Sequence, residues 1–401
     1  MTRVALTRAL VAAAVAAAVG GTAAVVLTAG GGAGSVIRAS GPTPAPAPSA
    51  VAQVALAKGD VVPWDAPLRV TVANGTITSV VATGPDGATM DGAITAAGWV
   101  STATSLLPRA PYVLHVELVN GDGVTSSFDR TVHAAAPAHE LRATVSPQGG
   151  TFGIGQPVIV RFNRAVKGAE ARQAVMQRLV VTTTPPVAGA WRWYNSYEVH
   201  YRGPEYWKPG TTVSVRADLT GLRVPGTDMW GRDGERTGSM TIGDALVATV
   251  DVTAHKMTVT RNGKVVRVVN VSTGRDKYPT KGGVHIVLVR EKEHLYNSAT
   301  VGIPTASPDG YYEKLPWSVR ISNGGAFVHA NPATVKYQGS LNVSHGCVNA
   351  SVEDAKWFYY NSHLGDIVNV IHAAVGPVRW DAGMADWNYS WETWQQGNLN
   401  G

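Results

Sequence analysis

Gly324-Gly-Ala-Phe-Val-His329 and Asn342-Val-Ser-His-Gly-Cys-Val-Asn349 decide how this chain is read. The first is a short apolar run ending in a histidine, and it reads as a strand. The second holds Cys347, the only cysteine in 401 residues, 18 positions beyond His329. Most lone cysteines are small buried hydrophobes. This one has Ser344, His345, Gly346 and Asn349 around it. Gly346 lets backbone approach a ligand closely. Ser351, with Glu353 and Asp354 behind it, predicts a helix N-terminus shortly after the cysteine, whose free N–H groups favour a thiolate and can serve an oxyanion. A strand-borne His329 facing a loop-borne Cys347 is the base–nucleophile pair that acyl transfer needs. No acid follows His329, so a backbone carbonyl is the expected partner for its Nδ1–H.

The composition narrows the class. One cysteine excludes an intramolecular disulfide and a cysteine-rich zinc site, and no HExxH pattern occurs among the 11 histidines. Charged residues are only 15% and the net charge is +6, which suits an anionic matrix such as a bacterial wall or a membrane face. No Lys/Arg run or nucleic-acid motif is present, so nucleic acid is not an expected partner. A thiol kept outside the cell is exposed to oxidation, which argues that it is used.

Upstream, Arg3 and Arg8 precede an uncharged Ala/Val-rich stretch from Ala9 to Ile37. Residues 1–38 therefore read as an export signal or membrane anchor. Residues 39–50 contain Gly41-Pro-Thr-Pro-Ala-Pro-Ala-Pro-Ser49, an extended spacer. Residues 51–138 show short strands around Asn74-Gly75 and Asn120-Gly-Asp-Gly123, the pattern of an immunoglobulin-like sandwich without its disulfide. Residues 139–243 repeat that pattern, with a helix expected over Lys167–Leu179. Residues 244–376 are expected to be β-rich, with hairpins such as the one at Asn262-Gly263, a strand over Gly283–Arg290, the helix from Ser351 and a closing strand over Asp366–His372. Residues 377–401 carry Trp380, Trp387, Trp391 and Trp394, which need burial against the body.

Ser344-His-Gly-Cys-Val-Asn349 with His329 upstream resembles the signature of the L,D-transpeptidases, the YkuD-type catalytic domain. Val271-Ser-Thr-Gly274, Tyr278-Pro-Thr-Lys-Gly-Gly283 and Ser307-Pro-Asp-Gly-Tyr311 resemble further segments of that family, the last its substrate lid. The layout is similar to actinobacterial, mycobacterial-type members. The implied fold is mainly β: two immunoglobulin-like sandwiches, then a catalytic domain with a short helix after the cysteine. The family's usual Met-Asp-Ser-Ser-Thr-Tyr-Gly lid run is replaced by Tyr296-Asn-Ser-Ala-Thr-Val-Gly302.

The resemblance implies Cys347 as nucleophile, His329 as base and then acid, the Ala330 carbonyl as its orienter, and backbone N–H groups near Gly346 and Cys347 as the oxyanion hole. It places Tyr311, Gly324, Gly325 and Asn349 against substrate, and Ser344 and His345 as shapers of the loop. The implied reaction is peptidoglycan L,D-transpeptidation between donor and acceptor tetrapeptide stems, giving 3→3 links with no metal or organic cofactor, and with carbapenems as acylating inhibitors. An L,D-carboxypeptidase on the same stems and a non-catalytic wall-binding protein are the alternatives. Papain-like wall peptidases place Cys before His, the reverse of this order. Sortases need a Thr-Leu-x-Thr-Cys-type segment and a later Arg, whereas this Cys follows Ser-His-Gly and the next Arg is Arg379, in the tail.

Overall fold

The structure is a computed structural model that describes residues 45–57, 61–379 and 384–400. The expected anchor over 1–38 and Trp380 lie outside the described residues. Among the described residues no helix is long and apolar enough to cross a membrane. Residues 49–401 form one compact unit.

The first sandwich pairs two four-stranded sheets. In Pro111–Asn120 alternate residues Tyr112, Leu114, Val116 and Leu118 are buried, the period-two pattern of a half-covered strand. The second sandwich also has two four-stranded sheets, plus the helix Ala169–Met176. That helix is shorter than the expected Lys167–Leu179. Gly168, at φ +86, starts it, and the strand Leu179–Thr184 follows almost at once. The β-branched run from Val180 to Thr184 favours extended backbone and stops the helix.

The third unit has two sheets. A six-stranded one contains, in order, Lys264–Asn270, Lys256–Arg261, Leu246–Asp251, Ile367–Ile371, Lys281–Ile286 and Val375–Pro377. A four-stranded one runs Val289–Asn297, Tyr312–Arg320, Phe327–Ala330 and Val348–Ala350. The strand expected over Gly283–Arg290 is thus two strands in different sheets. The chain changes sheet where the Val287 N–H bonds Asp366 O and the Leu288 N–H bonds Arg320 O. Between the sheets lie Val250, Val259, Val269, Val328 and Val348, closed by Ala355 and Phe358 of the helix Val352–Asn361. Ser351 caps that helix, accepting the Asp354 N–H as its sequence suggested.

This third unit rests on the second sandwich. The Gly153 and Gly155 N–H groups bond Leu364 O and Gly365 O at 2.7 and 2.9 Å. Ile286 and Ile367 join the second sandwich's apolar core. The C-terminal tail covers this joint. Trp394 is buried, with Nε1 donating to Ala190 O, while Trp387 Nε1 donates to Gly155 O. Asn388 bonds both the N–H and the carbonyl of Val284. The Arg202 guanidinium lies 4.5 Å from the Trp394 ring and 4.6 Å from that of Trp387.

Candidate active site

Strand pairing builds the site. Phe327–Ala330 and Val348–Ala350 run parallel, with His329 opposite Asn349. Side chains two apart on a strand share a face, so Cys347, just before the strand, projects beside Asn349 and His329. All three line one cleft of about 200 Å³. Cys347 also lines a second cleft of about 130 Å³, with Gly324, Gly325 and Gly346. Tyr311 and His345 line both and divide them. The ten residues named from the sequence therefore converge on one two-mouthed cleft, Ala330 from beneath it.

His329 is 3% exposed. Its Nδ1 lies 3.0 Å from Ala330 O, and a carbonyl can only accept, so Nδ1 carries the proton. Nε2 keeps its lone pair, while the Cys347 thiol lies 3.8 Å from Gly325 O, toward which it donates. The Tyr296 ring covers the imidazole at 4.7 Å, and the Tyr296 hydroxyl is held by Ser318 Oγ at 2.9 Å. Burial pushes His329 down to about 4 and the partly exposed Cys347 up to about 11. The resting pair is thus a neutral thiol and a neutral imidazole at pH 7. The thiolate expected from a nearby helix end is not favoured, because the strand Val348–Ala350 separates Cys347 from the helix at Val352. Burial of the thiol then outweighs the Phe327 backbone hydrogen bond and the Arg320 charge, which act the other way.

The cysteine loop is locked from within. Ser344 Oγ donates to Cys347 O at 2.6 Å and accepts the Gly346 N–H at 3.0 Å. Thr280 Oγ1 donates to Gly346 O. Gly346 sits at φ +114, where a side chain would be strained. The Gly346 N–H, the expected oxyanion donor, is therefore spent on Ser344. The Cys347 N–H has no bond among the described residues, and it is the donor left for an oxyanion. Asn349 Nδ2 donates to Thr334 Oγ1, while the buried Oδ1 has no partner and is free to accept from a substrate N–H.

Residues that the sequence reading passed over hold the Ser307–Tyr311 segment. Asp309 pairs with Arg275 and Lys277 and accepts from the Tyr278 hydroxyl at 3.1 Å. Its lysine partner foremost, with Tyr278 and Arg275, holds the Asp309 carboxyl below the usual range against slight burial. Arg275 also donates to His345 Nε2 at 2.9 Å, and the His345 ring lies 4.9 Å from Tyr278 and from Tyr311. Burial first, then Arg275, lowers the His345 pKa, so this imidazole is a neutral wedge. Asp309 stood inside the quoted Ser307–Tyr311 segment, but nothing local marked its partners 31 to 34 residues away.

A family model described as the L,D-transpeptidase catalytic domain matches residues 246–370, and a bacterial Ig domain model matches 59–223. L,D-transpeptidase 2 of Mycobacterium tuberculosis is 37% identical over 337 residues, covering 83% of this chain and 81% of that protein. L,D-transpeptidase 5 of the same organism is 32% identical over 371 residues, covering 90% and 79%. A solved L,D-transpeptidase in complex with imipenem is 34% identical, with TM-score 0.49, covering 57% of this chain and 97% of that one. With this similarity spanning the sandwiches and the cysteine cleft alike, the chain belongs to the L,D-transpeptidase family.

Proposed function

We propose that this protein forms 3→3 cross-links in peptidoglycan through a thioester on Cys347. The carrying observation is His329 opposite Asn349, with Nδ1–H held by Ala330 O and Nε2 free on the face that Cys347 shares. His329 Nε2 takes the thiol proton as sulfur bonds the carbonyl carbon between diaminopimelate and D-Ala. The Cys347 N–H steadies the oxyanion. The imidazolium then protonates the leaving D-Ala nitrogen as its C–N bond breaks. A second stem's amine attacks the thioester, its proton passes by way of His329 to the departing sulfur, and the thiol is restored. Neutral partners suit this sequence, since the proton moves only as attack occurs. Tyr311, Gly324, Gly325 and Asn349 contact the stems, and Ser344 and His345 shape the loop.

The same reading places the work outside the cytoplasm, with residues 1–38 as signal or membrane anchor and 39–50 as a stalk. It divides the rest into sandwiches over 51–138 and 139–243, a catalytic domain over 244–376 and a tail over 377–401. Carbapenems acylate Cys347 in this reading. Incubation of the protein with a disaccharide tetrapeptide is expected to yield a dimer lacking one D-Ala by mass. Tripeptide alone would replace the transferase by a carboxypeptidase. Intact mass is expected to show one carbapenem adduct on the wild type and none on Cys347→Ala.

A further inference from the structure

The two mouths beside Cys347 carry opposite charge. Glu313 lines the mouth shared with His329 and Asn349, and no Lys or Arg lines it. Lys281 lines the other, which has no carboxylate. Glu313 stands on the strand Tyr312–Arg320, paired across from Tyr296, whose ring covers His329. Among the described residues its carboxylate has no hydrogen bond or ion pair, in contrast to Glu291, Glu293 and Asp309 around the same lid. Partial burial raises its pKa, and its charge in turn helps to raise those of Cys347 and Tyr311, so it acts within reach of the reacting sulfur. An unpaired carboxylate at one entrance to a neutral base–nucleophile pair is complementary to a cationic ligand.

We infer that Glu313 is the recognition residue for the acceptor: its carboxylate receives the ammonium of the incoming amine and assigns the acceptor to the His329 mouth. This rests on the transpeptidase reading above, in which the second substrate is an amine that is cationic in solution. Glu313 binds and orients this group. The ammonium proton leaves to water through the open mouth before the nitrogen attacks. The donor, whose D-Ala carboxylate lies beside the bond to be cleaved, is assigned to the Lys281 side.

The test separates donor from acceptor. A tetrapeptide stem whose diaminopimelate amine is acetylated acts only as donor, and a tripeptide stem with a free amine acts only as acceptor. Glu313→Gln is expected to raise the acceptor KM roughly five- to tenfold, the scale of one charge-assisted contact. The ratio of transfer to hydrolysis should fall by a similar factor, and Glu313→Lys should lower it further. Glu313→Asp should recover part of the loss. Imipenem acylation of Glu313→Gln, followed by intact mass, is expected to be faster than wild type, because removing the negative charge eases thiol ionisation. An acceptor KM within twofold of wild type in both Gln and Lys variants overturns the inference. Loss of acylation together with transfer overturns it too, by making the residue structural. A wild type that forms no dimer at all sinks the transpeptidase reading itself.

Discussion

At the level of single residues, protonation decides the chemistry. His329 is held near 4 and Cys347 near 11, both by burial. Thiol acylation is therefore expected to rise with pH through about 4, as His329 becomes a base, and to stay level across neutrality, which a pH profile of β-lactam adduct formation checks. His329→Gln should slow acylation about 10²- to 10⁴-fold, the usual worth of a positioned general base. The stability sign follows from the same shifts. A histidine depressed from 6.5 to about 4 leaves the unfolded chain binding more protons between those values, so folding weakens as pH falls through that window. Ser344→Ala frees the Gly346 N–H and the Cys347 carbonyl together. Denaturant titration is expected to show a loss of about 1–3 kcal/mol for such orphaned groups.

At the level of elements, the lid and the helix behave differently. The lid is fastened by charge that is only partly buried: Asp309 to Arg275 and Lys277. Such contacts are weak and salt-sensitive. Asp309→Asn is expected to raise the donor KM a few-fold at low ionic strength, with the difference from wild type shrinking as salt is added. The helix Val352–Asn361 is fastened by a cap and an apolar face. Ser351→Ala should cost about 0.5–2 kcal/mol, the range for a lost N-cap. The cap was legible because a Ser followed by acids is a local signal. The split of Gly283–Arg290 between two sheets was not, because Val287 and Leu288 change partners to residues far along the chain.

At the level of the whole molecule, a buried ion cluster joins the tail to the second sandwich. His200, fully buried, has Nδ1 3.0 Å from both Asp386 oxygens and Nε2 2.6 Å from Glu198. Burial opposes its charge, but Asp386 and Glu198 outweigh it and raise the pKa to about 9. A raised histidine contributes fully below 6.5 and loses its contribution as pH climbs to about 9. Thermal melts are expected to show a falling Tm across that window in wild type. His200→Gln should melt lower at pH 6 and show a flatter decline. The tail's Trp content announced a need for burial, but the charged cluster beneath it depends on Glu198 and Asp386 meeting across 188 residues of sequence.

The amino-acid sequence by itself determined which side chains meet in the cleft. His329, the Ser344–Asn349 loop and the strand-rich frame are written in local patterns, because a motif's geometry is set by neighbours a few residues apart. Tertiary structure alone decided the charge on the pair, the bond that ties the Gly346 N–H to Ser344, and the two oppositely charged mouths. Those properties arise from desolvation and from fields of groups distant in the chain, and neither has a local signature.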